Sequence, residues 1–160
     1  MTDNKPVNIR KASEEDIRLI VEHRLFYLEE LQGKMDENYK TQLREDLQKY
    51  FQEAIGKGHF VALLAESGNK VLGFGGMVVK KIPGDANKTT YLEGDILNMY
   101  TLPQYRRKGI SSLILKGLLE EAKNMGLSKI ALHTSKDGEK LYRKFGFSEP
   151  AYPYLERTIE

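Results

Sequence analysis

The sequence predicts an α/β fold of the α+β type: a mixed, mostly antiparallel twisted sheet with a parallel central pair, flanked by about four helices. Three observations predict it. Residues 59–66 (HFVALLAE) and 70–80 are β-prone runs joined by Ser67-Gly68-Asn69, the pattern of an antiparallel hairpin. Residues 95–134 read strand, loop, helix, strand, and a crossover of that kind sets its two strands parallel in one sheet. Ahead of both lie two amphipathic helical stretches whose apolar stripes need a sheet face to cover.

Taken in order, residues 7–10 are a short strand candidate. Ser13 is an N-cap residue with Asp16 three positions on, inside the acidic first turn Glu14-Glu15-Asp16 that suits a helix N-terminus. Ile17, Ile20, Val21, Arg24, Leu25 and Leu28 form one face of that helix, and Gly33 ends or loosens it. A second helix is expected over residues 40–55, with Leu43, Leu47, Tyr50, Phe51 and Ile55 on one stripe, and the polar QGKMDENYK between the two reads as a mobile connection. Gly56-Lys57-Gly58 breaks this helix before the hairpin. Gly73, Gly75 and Gly76 weaken the hairpin's second strand; they read either as a bulge or bend, or as close approach of backbone to substrate. Residues 81–88 (KIPGDANK) are a polar loop, and Tyr91 onward leads into the central strand, which Pro103 stops. Ile110, Leu113, Ile114, Leu118, Ala122 and Met125 then recur at helical spacing, and Gly126 closes that helix. Residues 129–134 are a strand and residues 138–145 a short helix ended by Gly146. Phe147 opens a final extended segment, with residues 154–159 a candidate last strand. No linker, repeat or low-complexity segment divides residues 1–160, which read as one domain.

Composition excludes several classes of function. A net charge of +2, with no basic face beyond one loop, argues against nucleic acid as a partner. The absence of cysteine removes disulfides, thiolate metal sites and a cysteinyl-acyl intermediate together. His23, His59 and His133 are scattered and form no metal-ligand pattern, so no metal is expected. No apolar run is long enough to span a membrane, and the start MTDNKPVNIRK lacks the apolar centre of a signal peptide, so the expected location is cytoplasmic.

The stretch DILNMYTLPQYRRKGISS, residues 95–112, organises the chain. Ile96, Leu97, Met99, Tyr100 and Thr101 are apolar and β-prone, Arg106-Arg107-Lys108-Gly109 is a basic loop, and a helix starts at Ile110. The first N–H groups of a helix lack intrahelical acceptors, and its dipole adds roughly half a positive charge there. A solvated charged turn is the plain alternative. Cations placed before a glycine and a helix start favour phosphate or pyrophosphate as the occupant.

Arg106-Arg107-Lys108-Gly109-Ile110-Ser111 resembles the Q/R-x-x-G-x-G/A pyrophosphate loop of the GNAT acyltransferase superfamily, with Ser111 in place of the final Gly or Ala. The segment SKDGEKLYRKFGF, residues 135–147, is similar to that superfamily's second signature, N-x-x-A-x-x-L-Y-x-x-x-G-F. Leu141-Tyr142 and Gly146-Phe147 match it, while Ser135 stands for Asn and Gly138 for Ala. The resemblance covers residues 7–147 and is most specific in the second half. It implies a GNAT-like version of the fold above and an N-acetyltransferase that moves acetyl from acetyl-CoA to a primary amine by direct transfer in a ternary complex. It further implies that the N–H groups of Arg107, Lys108, Gly109, Ile110, Ser111 and Ser112 cap the coenzyme A pyrophosphate. Arg106 then either adds charge or braces the loop from outside. Met99, Tyr100 and Thr101 would pair with the pantetheine arm as an added strand does, beside a bulge that parts the central strand from its neighbour. Ser135 would hydrogen-bond the same arm.

Tyr142 corresponds in the resemblance to the general acid that protonates the departing thiolate; its plain alternative is a core aromatic beside Leu141 and Phe145. A lysine-type amine is only about one part in a few thousand neutral at pH 7, so the acceptor must lose a proton at or before attack. Asp95 stands where several family members carry a catalytic Glu, with Glu93 on the same strand face; alternatively both are solvated or paired at a strand start. His133 reads as packed in or beside the sheet. The acceptor walls, expected from the first two helices and the 81–89 loop, carry no recognisable motif. Glu29, Glu30, Asp36 and Glu37 either attract a cationic amine or solvate helix ends. The expected partner is a small-molecule or peptide amine, with no membrane partner and with a homodimer left open. The rival class is a non-catalytic module that binds or senses acyl-CoA.

Overall fold

The computed structural model describes residues 5–160. Strand β1 (Asn8–Lys11) leads to Ser13, whose N–H donates to Asp16 Oδ2 at 2.8 Å across the 3-10 turn Glu14–Asp16. That turn runs straight into helix α1 (Ile17–Gln32), which Gly33 closes at φ 93°. Helix α2 (Glu37–Gly56) starts earlier than its apolar stripe suggests, because Asp36 caps it by accepting from the Tyr39 N–H at 3.1 Å. Most of the stretch read as a mobile connection is therefore helix, and only residues 33–36 join the two.

Strands β2 (Phe60–Ser67), β3 (Lys70–Pro83), β4 (Thr90–Thr101) and β5 (Lys129–Leu132) complete a five-stranded sheet in the order β1-β2-β3-β4-β5. Only β4 and β5 are parallel; the other neighbours are antiparallel. Helix α3 (Ile110–Asn124) connects that parallel pair, and α4 (Lys136–Lys144) follows β5. The mixed sheet with its parallel pair and four helices is the expected fold. The polar loop is shorter than expected, since Lys81, Ile82 and Pro83 pair with Leu92, Tyr91 and Thr90.

The candidate last strand is absent: residues 154–159 have no regular structure. Pro150 and Pro153 have no N–H to give a ladder, and Tyr154, Leu155 and Ile159 remain exposed with no sheet face to bury them.

The sheet separates two cores. On one face Ile110, Ile114, Leu115, Leu118 and Ala122 of α3 pack on Val61, Leu63, Met77 and Ile96, with Leu141 and Tyr142 of α4 and its C-cap Phe145 at the margin. On the other, Ile17, Ile20, Val21 and Leu25 of α1 and Phe51 of α2 pack on Phe60, Leu64 and Phe74. Gly75 and Gly76 make room for these cores, while Gly73 lies against the Tyr100 carbonyl and Thr101 of β4. A Cβ on Gly75 would overlap Ile114 Cγ2, and one on Gly76 would overlap the Phe60 ring. Two bulges lie beside them: Ala65 pairs with Gly73 and Glu66 with Val71, which leaves Leu72 as an extra residue in β3 itself, and a second bulge sits on the opposite strand. Gly76 pairs with Asn98 and Met77 with Ile96, which leaves Leu97 as the extra residue in β4. This second bulge resets the side-chain alternation. Ile96 and Met99 both join the α3 core, while Asn98 and Tyr100 meet α1.

Candidate active site

The site is built where β4 loses its parallel neighbour. Pairing with β5 runs only from Glu93 to Ile96. Beyond the bulge, Asn98 to Thr101 are paired on one edge, with β3, and among the described residues no strand covers the other. That free edge leads through the 3-10 turn Pro103–Tyr105 to the basic loop and the start of α3.

The loop has a defined backbone. Arg107 is the only described non-glycine residue at positive φ, 64°, and Gly109, the N-cap of α3, stands at φ 77°. A Cβ at Gly109 would meet nothing within 4 Å, so the space before the helix is open. No side chain caps this N-terminus, and among the described residues the N–H groups of Ile110, Ser111 and Ser112 have no backbone acceptor. Arg107 and Lys108 are exposed. Open space, unpaired donors and exposed cations suit a pyrophosphate.

Arg106 is different. Its Nε donates to the Thr101 carbonyl at 2.9 Å, and its two Nη atoms grip Glu30 of α1 at 2.7 and 2.8 Å. The guanidinium lies 5.5 Å from the centre of the Tyr100 ring. Its side chain is thus tied to the end of β4 and to α1. Its hydrogen bonds hold the Glu30 carboxyl below the ordinary carboxylate range. Thr101 is also committed, its Oγ1 lying 3.2 Å from Ser111 Oγ and so tying the end of β4 to the first turn of α3. Met99 is half-buried on the α3 side, and Tyr100 is buried on the α1 side.

Ser135 caps α4, its Oγ accepting from the Gly138 N–H at 3.2 Å. A Cβ on Gly138 would come within 2.9 Å of Thr134 Oγ1, which accounts for glycine at that place in the motif. Tyr142 is half-buried on α4, its ring edge-on to Phe147 at 5.8 Å. Burial first, then the neighbouring Tyr27, push its phenol above the ordinary value of 10, so it carries its proton at neutral pH.

The carboxylates are largely engaged. Asp95 takes Lys80 Nζ at 2.7 Å, and Glu93 takes Lys129 at 3.3 Å. Asp95 is what chiefly raises the Lys80 pKa. Glu29 is paired with Lys40 at 2.9 Å, Glu30 with Arg106, and Asp36 caps α2, which leaves little of that acidic group free to attract an amine. His133 is exposed just past the end of β5, outside the sheet it was expected to pack against.

Sequence reasoning expected a wall from the first two helices but missed the α1 residues that meet β4. His23 packs edge-on to Tyr100 at 6.0 Å, Tyr27 meets the same ring at 6.3 Å, and Arg24 Nη1 donates to Asn98 Oδ1. Two signals could have found them: an arginine on an apolar helix face, and an asparagine inside an apolar strand.

A mixed sheet parted at its parallel pair, with an open helix N-terminus at the end of the free edge, is the arrangement that the resemblance to the GNAT acyltransferases implies. The family model "Acetyltransferase (GNAT) family" matches residues 23–147, and the chain belongs to that family. A predicted acetyltransferase from Clostridium acetobutylicum, solved with acetyl-CoA, is 31% identical and covers 96% of both chains, with a TM-score of 0.81. A GCN5-related N-acetyltransferase from Ralstonia eutropha JMP134 has the same fold at 21% identity and a TM-score of 0.78, covering 96% of this chain and 99% of that one. The uncharacterized N-acetyltransferase YedL of Escherichia coli (strain K12) is 34% identical over 72 residues, 42% of this chain and 45% of YedL. The chain thus spans about half the length of the curated relatives it matches. No helix among the described residues is long and apolar enough to cross a membrane.

Proposed function

We propose that this protein is an N-acetyltransferase that moves acetyl from acetyl-CoA directly to a primary amine in a ternary complex. The observation that carries the reading is the free edge of β4 running into the uncapped N-terminus of α3. The acetyl-CoA held by the Clostridium acetobutylicum relative supports the choice of donor.

The bound thioester supplies an activated acetyl group. The N–H groups from Arg107 to Ser112 bind the pyrophosphate, with the Arg107 and Lys108 side chains adding positive charge from solvent, while Arg106 fixes the loop against α1. Met99 and Tyr100 offer backbone groups to the pantetheine amides, and Thr101 holds the loop beneath them. Ser135 positions α4 and, through it, Tyr142. Tyr142 gives its proton to the departing thiolate. Asp95, released from Lys80, takes the amine's proton directly or through water. The chain has no cysteine to carry the acyl group, which supports direct transfer.

The test is coenzyme A release from acetyl-CoA against polyamines, amino acids, aminoglycosides and peptide N-termini. Steady release with at least one class is expected. Tight acetyl-CoA binding with no release for any class would instead make the protein an acyl-CoA-binding module.

A further inference from the structure

Arg24 is a largely buried cation with no carboxylate partner among the described residues. Arg10, Arg44, Arg106 and Arg143 each pair with a carboxylate. Arg24 donates to a neutral amide oxygen, Oδ1 of Asn98, and the ionisable side chains that act on it are the tyrosines Tyr27 and Tyr50, not carboxylates. Burial pushes its pKa down with no carboxylate to oppose that. A buried charge left unpaired is costly, and an anion brought by a ligand would offset the cost.

Further orphaned polar groups surround it. Arg24 Nε, Asn98 Nδ2 and His23 Nδ1 are buried with no hydrogen-bond partner among the described residues. Asn98 is 1% exposed and His23 4%, so these unpartnered groups lie in the wall itself rather than on the open surface. Asn98 follows the bulge residue Leu97, on the α1 side of β4, and His23 packs on Tyr100 two residues along the same face. The orphans therefore gather at the point where β4 parts from β5, while Arg24 itself keeps some exposure to solvent.

We infer that Arg24, supported by Asn98, binds a carboxylate of the acceptor, so that the substrate is an amine that also carries a carboxylate, as an amino acid does. A guanidinium matches a planar carboxylate with parallel hydrogen bonds, and the Asn98 amide adds a donor. His23, which burial keeps neutral, can donate from Nδ1 without adding charge. This rests on the acetyltransferase reading above, and it selects among the amines that reading allows.

The test compares amino acids with their carboxamides, each pair sharing one amine. The carboxylate member should show a KM at least about tenfold lower, the least expected of a charge-assisted hydrogen bond. Arg24→Gln should raise KM for the carboxylates by about 10- to 100-fold and leave the carboxamides and the calorimetric acetyl-CoA affinity nearly unchanged. Asn98→Asp keeps the volume and gives Arg24 an internal carboxylate, so it should abolish the preference even if Arg24→Gln folds poorly. Equal KM values within each pair, or equal losses for both members in the variants, would overturn the inference. The acetyltransferase reading fails separately, by absence of any turnover. In that event amino acids titrated into the acetyl-CoA-loaded protein should still shift the Asn98 side-chain amide resonances, and carboxamides should not. No shift with any amino acid overturns the carboxylate site.

Discussion

Tyr142 and Arg107 carry different parts of the proposed reaction, and single substitutions separate them. Tyr142→Phe keeps the ring and its edge-on contact with Phe147 and removes only the proton. Turnover should fall by roughly 10²–10⁴-fold, the range for losing a general acid, with acetyl-CoA affinity and melting temperature nearly unchanged. Its pH dependence has a definite sign. The phenol is held above 10, and an acid is active while protonated, so this group imposes no fall in kcat up to pH 9. A limb falling near pH 8 that vanished in Tyr142→Phe would contradict that assignment. Arg107→Ala removes an exposed cation at the helix mouth while leaving the Arg106–Glu30 brace in place. Acetyl-CoA should bind about 1.5–3 kcal/mol more weakly if the side chain makes a charge-assisted hydrogen bond to phosphate. Equal weakening of a pantetheine fragment that lacks the diphosphate, measured by calorimetry, would show that Arg107 acts on loop folding instead.

At the scale of elements, Arg10 ties the entry to α1 to the sheet through ion pairs with Asp16 and Glu66. Arg10 grips Asp16 at 2.8 Å on both oxygens, which holds the Asp16 carboxyl at about 2 against an ordinary 3.8. A carboxyl whose pKa is lower when folded stabilises the fold above its unfolded pKa and stops doing so as pH falls through the folded one. Asp16→Asn should therefore cost about 1–2 kcal/mol at pH 7, with the gap to the parent closing between about pH 4 and pH 2 in urea titrations. A gap unchanged at pH 2 would mean that the lost contribution is not ionic. Packing of α3 on β3 gives a second case. Gly75→Val would press a side chain into Ile114 and Leu118 and should destabilise by about 1–3 kcal/mol, read as a lower melting temperature. The hairpin, the long helix and its glycine stop were legible because period, turn residues and caps are local signals. The early start of α2 was local too, in Asp36, but the apolar stripe was the louder pattern. The absent last strand was not legible from β-propensity alone, because Tyr154 and Ile159 favour strands only where a sheet face awaits them.

Across the whole molecule, what stayed hidden in the sequence depends on partners far apart in it. The bulge at Leu97 exists only relative to the register of β3, the brace on Arg106 comes from Glu30, and Asn98 meets Arg24 across the sheet–helix interface. The anion loop was legible because strand, cations, glycine and helix start follow one another directly. The sheet delivers that loop, the free edge of β4 and Tyr142 to one end of the fold, and acetyl-CoA is the ligand this arrangement is argued to hold. Calorimetric titration of acetyl-CoA into the parent and into Gly109→Glu tests that most directly. Gly109 has open space before it and a left-handed backbone, so glutamate brings both a side chain and a negative charge to the place proposed for pyrophosphate. The account predicts saturable binding by the parent and near-abolished binding by a variant whose circular dichroism is still native. Unchanged affinity in the folded variant, or no binding by the parent, would contradict it.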